Sequence, residues 1–106
     1  MGIFDFFKQP DINRGVEEYR HTPGAVLVDV RSGSEYQEGH IPEAHHVPLQ
    51  ALDKIGAAAT NKEMSLFVYC YSGARSAQAA VQLQRMGYTN VKNIGGIAAW
   101  KGETVR

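Results

Sequence analysis

The segment of this sequence best suited to chemistry is a short loop that begins at its single cysteine, Cys70. An apolar run predicted as a buried strand precedes the loop, and a predicted helix follows it. Such a junction aims several backbone N–H groups at one point, and with the positive end of the helix these donors form an anion site. Gly73 allows a tight turn, and Arg75 adds a planar cation suited to an oxyanion. The whole segment reads Cys70-Tyr71-Ser72-Gly73-Ala74-Arg75-Ser76.

The same surroundings are expected to activate the Cys70 thiol. The pKa of a free cysteine is about 8.5, and a helix N-terminus with a neighbouring cation lowers it to roughly 3.5–7.5. Because the thiolate is the nucleophile, a site that binds an anion also makes this sulfur reactive. The alternative is a buried structural thiol, since free cysteine is among the most buried residue types. The nearby glycine, arginine and helix start favour the reactive thiol.

The elements that must position this loop follow from the pattern of apolar residues. Strands are predicted over residues 25–30, 46–48, 65–70 and 89–94. Helices are predicted over residues 12–21, 49–59 and 74–86, with a short helix before Gly39 and a helical turn at 97–100. This order predicts an α/β fold with a central, mostly parallel sheet of four or five strands and helices on both faces.

The length of 106 residues fits one domain. Residues 11–106 form the predicted domain, and residues 1–10, which carry three phenylalanines, are expected to dock on it as a short segment. A monomer is the default expectation.

Composition excludes several classes of function. One cysteine excludes an internal disulfide and a zinc site built from several thiolates. A formal net charge of zero argues against nucleic acid and anionic membranes as partners. No apolar run reaches the roughly 20 residues of a membrane span, and the N-terminus lacks the basic start of a secretory signal. The expected location is therefore the cytoplasm.

Four motifs along the chain resemble the single-domain form of the rhodanese (thiosulfate sulfurtransferase) family. The strongest is the Cys-x-x-Gly-x-Arg-Ser loop that begins at Cys70. The others are Asp29-Val30-Arg31 followed by Glu35-Tyr36, Gly39-His40-Ile41-Pro42-Glu43-Ala44 closing at Val47-Pro48, and Gly95-Gly96-Ile97-Ala98-Ala99-Trp100. The resemblance covers residues 11–100. This sequence departs from the family pattern at Glu43, where Gly is usual, and at His45-His46, where small residues or Asn are more common.

This resemblance implies a rhodanese-like domain that works through a persulfide on a catalytic Cys70. The cysteine would take a sulfane sulfur from thiosulfate or another persulfide donor and pass it to cyanide or a thiol. Arg75 would bind the anionic donor, and Ser76 would shape the loop. No metal or organic cofactor is implied, and a protein donor or acceptor is a further partner to consider. The substrate-binding residues would be Tyr71, Ser72, Gly73, Ala74, Arg75 and Ser76.

Three other functions are alternatives to this one. A persulfide carrier that relays sulfur for a partner protein, without turnover of its own, would have the same loop. A phosphatase- or arsenate-reductase-like enzyme of related fold would have five residues between the cysteine and the arginine, to accommodate the larger anion. Four residues separate Cys70 from Arg75 here, which suits one added sulfur atom. An interaction domain without catalysis is disfavoured because Cys70, Gly73 and Arg75 are all present.

Charged residues near the first predicted strand are candidates for structural support of the site. Asp29 and Arg31, one valine apart, are expected to form a buried ion pair that Glu35 joins. The short helix that follows has two candidate capping boxes, Ser32 with Glu35 and Ser34 with Gln37.

The histidines are expected to be structural. His40 lies in a predicted turn and is expected to be hydrogen-bonded there. His45 and His46 are adjacent, so on a strand they point to opposite faces and do not readily share a metal ion. No metal site is therefore predicted.

Overall fold

A four-stranded parallel sheet forms the centre of the computed structural model, which describes residues 10–106. The spatial order of its strands is β2-β1-β3-β4, and each neighbouring pair is parallel. The predicted α/β fold with a parallel sheet is confirmed, with four strands. The predicted docking segment lies outside the described residues except for Pro10. The strands are β1 (Val26–Asp29), β2 (His45–His46), β3 (Ser65–Cys70) and β4 (Asn90–Gly96).

Helices connect these strands. The α-helices of residues 10–106 are α1 (Ile12–Arg20), α2 (Gly33–Glu38) and α3 (Ala74–Arg85), and Leu49–Ala57 and Ile97–Ala99 are 3-10 helices. The helix α1 begins after Asp11, whose carboxylate accepts a hydrogen bond from the backbone N–H of Asn13. The helix α2 begins with the capping box of Ser32 and Glu35. Within residues 10–106, no helix is long and apolar enough to cross a membrane.

The helices cover both faces of the sheet, as predicted. Because successive side chains of a buried strand point to opposite faces, β1 and β3 contribute apolar residues to two separate clusters. On one face, α1 covers Leu27, Phe67, Tyr69 and Ile94. On the other face, α3 and the 3-10 helix Leu49–Ala57 cover Val26, Val28, Leu66 and Val68. The central strands are therefore packed against apolar side chains on both faces up to their carboxyl ends.

Three elements differ from the sequence predictions. The predicted α-helix at 49–59 is a 3-10 helix with a break at Ala51, and Pro48 before it supplies no side-chain cap. The strand β4 continues through Gly95 and Gly96, where a turn was predicted. A bulge opposite Val68 and Tyr69 keeps β4 in the sheet, and the φ of 103° at Gly95 suits such a bulge. The strand β2 lies at 45–46, not at 46–48.

Candidate active site

Cys70 is the last residue of β3 and lies at the carboxyl edge of the sheet, with 1% of its surface exposed. Its strand pairs with β1 on one side and β4 on the other, which fixes the backbone at this point. Three residues follow before α3 begins, and the third, Gly73, has a φ of 106°. Such a left-handed conformation favours glycine. The predicted strand–loop–helix junction is therefore present at Cys70.

Hydrogen-bond donors converge on the sulfur of Cys70. The backbone N–H of Gly73 donates to Sγ at 3.0 Å, and the Oγ of Ser76 lies 3.4 Å from Sγ. Burial raises the pKa of the Cys70 thiol, but hydrogen bonds from Ser76 and from the backbone of Gly73 and Ser72 outweigh it. The pKa of this thiol therefore lies below its ordinary value, so the site favours the thiolate.

The end of β4 supports the loop from behind. Gly96 pairs with Cys70 in the sheet, and a methyl group on Gly96 would overlap the backbone carbonyl of Tyr71. The backbone N–H of Ala98 donates to the same carbonyl at 3.0 Å. Because the loop backbone lies directly on β4, the course of that strand determines where the loop can be.

Asn93 is the side chain that connects β4 to the loop, a role that was not predicted from the sequence. Its Nδ2 donates to the carbonyl of Gly73 at 3.2 Å. Its Oδ1 accepts from the backbone N–H of Gly95 at 3.0 Å and from the Oγ of Ser76 at 2.7 Å. The neighbouring Gly95-Gly96 pair indicates that another backbone segment lies close to β4, but it does not show which side chain bonds to the loop.

Arg75 forms a two-point ion pair with Glu35 of α2. Their Nη1–Oε1 and Nη2–Oε2 distances are 2.7 and 3.0 Å, and the side chains of Arg75 and Glu35 are 37% and 31% exposed. The hydrogen bonds from Arg75 lower the pKa of Glu35 to about 2, and the carboxylate raises the pKa of Arg75. We expected Glu35 to join Asp29 and Arg31, but it pairs with Arg75. Its carboxylate balances the positive charge of Arg75 at the loop.

Asp29 and Arg31 form a buried ion pair at the end of β1. The Nη2 of Arg31 lies 2.7 Å from Oδ2 of Asp29, and the two residues are 5% and 0% exposed. The same Nη2 donates to the carbonyl of Gly39 at 2.7 Å. Since Gly39 ends α2, this pair ties the helix that carries Glu35 to the sheet.

The histidines near α2 are stacked and hydrogen-bonded. The rings of His40 and His46 both stack on Tyr36, at centroid distances of 3.7 and 4.5 Å. The Nδ1 of His40 lies 2.9 Å from the carbonyl of Tyr36, and the Nε2 of His46 lies 2.7 Å from that of Arg31. In the described part of the chain, no three His, Cys, Asp or Glu residues are grouped so that they could hold a metal ion.

Comparisons with known proteins identify the family of this chain. A family model of the rhodanese-like domain matches residues 14–103. A sulfurtransferase of Allochromatium vinosum is 40% identical over 80 residues, which is 74% of each chain. The thiosulfate sulfurtransferase PspE of Escherichia coli is 39% identical over 71 residues, or 66% of this chain and 68% of that protein. The solved structure of a rhodanese with anions from E. coli is 35% identical, with a TM-score of 0.72 over 77% of this chain and 98% of that one. The chain belongs to the rhodanese family of sulfurtransferases.

Proposed function

We propose that this protein transfers a sulfane sulfur from thiosulfate or a similar donor to a thiophilic acceptor through a persulfide on Cys70. In the first step the Cys70 thiolate attacks the outer sulfur of thiosulfate. The new Sγ–S bond forms as the S–S bond to sulfite breaks, and sulfite leaves with the electron pair. In the second step cyanide or a thiolate attacks the outer sulfur of the persulfide. The Sγ–S bond then breaks, and Cys70 leaves as the thiolate that began the cycle.

The surroundings of the Cys70 sulfur are the observation that carries this proposal. The sulfur lies at the carboxyl end of a buried strand, with the Gly73 N–H at 3.0 Å and the Ser76 hydroxyl at 3.4 Å. The Gly73 N–H stabilises negative charge on this sulfur, both before the attack and when the thiolate is released again. The lowered pKa of Cys70 increases the fraction of thiolate available for attack.

The size of the loop supports a small transferred group. Three residues separate Cys70 from the first residue of α3. A persulfide sulfur would lie one bond beyond Sγ, among the backbone N–H groups of residues 71–76. The Tyr71 side chain, 55% exposed, is available to contact an acceptor, and the Arg75 side chain, 37% exposed, lies at the same loop in its pair with Glu35.

Intact mass spectrometry after incubation with thiosulfate tests the proposal. The expected result is a gain of one sulfur atom that cyanide removes, with release of thiocyanate. Cys70→Ser is the matched control, since it replaces the thiol by a hydroxyl of similar shape, and it is expected to gain no mass. No adduct at any thiosulfate concentration would exclude thiosulfate as the donor. An equal adduct on Cys70→Ser would exclude Cys70 as the carrier.

The Arg75–Glu35 pair favours a second candidate function, a persulfide carrier that serves a partner protein. Because the carboxylate balances the guanidinium, the loop offers only weak attraction to a dianion such as thiosulfate. A persulfide on another protein does not depend on that attraction. Negligible thiosulfate–cyanide turnover, together with rapid sulfur uptake from a persulfidated protein, would support the carrier. Steady turnover with the two small molecules would support the enzyme.

A further inference from the structure

The hydroxyl group of Ser76 has one proton and four acceptors within reach. Ser76 is fully buried, so water does not supply an alternative partner. A hydroxyl donates one strong hydrogen bond at a time, and the shortest of these contacts is the one to Asn93. The acceptors are Asn93 Oδ1 at 2.7 Å, the Gly73 carbonyl at 3.1 Å, Cys70 Sγ at 3.4 Å and the Gly95 carbonyl at 3.4 Å.

The neighbours of Asn93 fix the orientation of its amide. The backbone N–H of Gly95 lies 3.0 Å from Oδ1 and requires an acceptor there. The carbonyl of Gly73 lies 3.2 Å from Nδ2 and requires a donor there. Exchanging the oxygen and nitrogen would bring two donors together at one end and two acceptors together at the other. The atom that faces the Ser76 hydroxyl is therefore the amide oxygen, an acceptor.

We propose that Asn93 is a positioning residue for Cys70, because its side-chain oxygen competes with the sulfur for the hydroxyl proton of Ser76. While the proton points to Asn93, the sulfur keeps the Gly73 N–H as a donor but lacks the hydroxyl. A rotation about the Cβ–Oγ bond of Ser76 gives the proton to the sulfur without moving any heavy atom. This inference rests on the proposed role of Cys70 as the nucleophile.

The competition has a chemical consequence for sulfur transfer. A thiolate that accepts more hydrogen bonds has a lower pKa and is also a weaker nucleophile. By holding the Ser76 proton, Asn93 keeps the sulfur more nucleophilic before the attack. The competition therefore gives up some stabilisation of the thiolate in exchange for a more reactive sulfur in the first step.

A double-mutant cycle tests this competition by measuring the pKa of Cys70. The thiolate of the single cysteine is followed by its ultraviolet absorbance against pH, with Cys70→Ser as the blank. Asn93→Leu removes the nearest of the competing acceptors at similar side-chain size, while the Gly73 and Gly95 carbonyls remain. We expect it to lower the pKa of Cys70 by about half a unit, roughly a threefold change in the dissociation constant. In the Ser76→Ala background, the same substitution is expected to lower it no further.

The charged groups of the neighbouring elements are the same in all four proteins, so their effect cancels in the cycle. They are Arg75 of α3, Glu35 of α2, and the Asp29–Arg31 pair at the end of β1. An equal shift with and without Ser76 would overturn the competition, because it would come from loss of the Asn93–Gly73 bond alone. An unchanged or raised pKa in Asn93→Leu would overturn it as well.

A second variant keeps the test decisive if Asn93→Leu does not fold. Asn93→Ala also removes the acceptor, and a Ser76-dependent fall in the pKa of Cys70 is again required. The titration uses no sulfur donor, so its outcome is independent of the mass experiment on thiosulfate. Failure of that experiment would contradict the proposed function, whereas failure of the cycle would contradict only the role of Asn93.

Discussion

The sulfur of Cys70 is buried, yet its pKa lies below the ordinary value. Burial by itself favours the neutral thiol, and here it raises the pKa. The hydrogen bonds from Ser76, Gly73 and Ser72 reverse that effect. From the sequence we expected a neighbouring cation to contribute, but the charge of Arg75 is balanced by Glu35. The reactivity expected of this residue therefore depends on the direction of a few donors.

The first prediction concerns the titration of Cys70. Because the hydrogen bonds favour the thiolate in the folded state, we expect the pKa of Cys70 to lie below the roughly 8.5 of a free cysteine. Between the folded and the unfolded pKa of Cys70, the folded protein binds fewer protons than the unfolded one. The free energy of unfolding therefore rises with pH across this interval and levels off above it. This gain in stability is lost as the pH falls through the folded pKa. Denaturant unfolding across this range measures the rise.

Cys70→Ala is the control for this titration, since it removes the group that titrates. The rise in unfolding free energy is expected to disappear in this variant. A rise of the same size in Cys70→Ala would assign it to another group. A thiolate absorbance with its midpoint at or above about 8.5 would contradict the role of the loop donors.

How much of the site could be predicted depends on how close its residues lie in the sequence. The loop of residues 70–76 is contiguous, so its glycine, arginine and cysteine could be recognised together. Arg75 and Glu35 lie 40 residues apart, and only the tertiary fold brings their side chains together. Asn93 contacts the loop through a strand bulge, which depends on pairing between β3 and β4. Such contacts follow from tertiary structure and leave no local pattern.

At the level of the elements, the site is a junction of β3, α3 and the end of β4. The strands could be predicted because buried apolar runs with flanking glycines have few alternatives. The 3-10 form of Leu49–Ala57 could not, since its apolar spacing also fits an α-helix and the break at Ala51 has no local marker. The continuation of β4 through Gly96 was missed because two glycines indicate a turn when read alone. In the fold they instead allow the loop to lie on the strand.

Replacing Gly96 tests this junction. The backbone of Gly96 is extended (φ −131°, ψ 144°), so Gly96→Ala acts through sterics and not through backbone strain. Its methyl group would overlap the carbonyl of Tyr71 and the Cα of Ser72. We expect a loss of about 2 kcal/mol in unfolding free energy, because overpacking moves backbone atoms. We also expect a fall of at least about tenfold in the rate of persulfide formation, as the donors at Cys70 shift.

Gly56→Ala is the matched control for Gly96→Ala. Gly56 lies in the 3-10 helix, and a methyl group there would meet no atom within 4 Å. Its unfolding free energy is expected to stay within about 0.5 kcal/mol of the original. If the two variants proved equally stable and equally active, β4 would not determine the position of the loop.

Positive and negative charges balance over the whole molecule and again at the loop that follows Cys70. The sequence has 11 basic and 11 acidic residues, so no net charge attracts a small anion from a distance. At the loop the cation of Arg75 is matched by the carboxylate of Glu35. A thiosulfate dianion therefore meets a protein without a general positive field. Its reaction with Cys70 is expected to depend little on ionic strength.

Glu35→Gln tests how the charge at the loop, as distinct from the net charge of the whole molecule, affects the reaction with thiosulfate. Glutamine keeps the residue type of the capping box at the start of α2, but it leaves the charge of Arg75 uncompensated. For the original protein, we expect the rate constant of persulfide formation from thiosulfate to stay within about twofold between about 10 and 150 mM salt. Glu35→Gln is expected to react about threefold faster at low salt and to lose that advantage at high salt, where screening shortens to about 8 Å. A rate for Glu35→Gln equal to or below the original at every salt concentration would mean that Arg75 does not attract the donor.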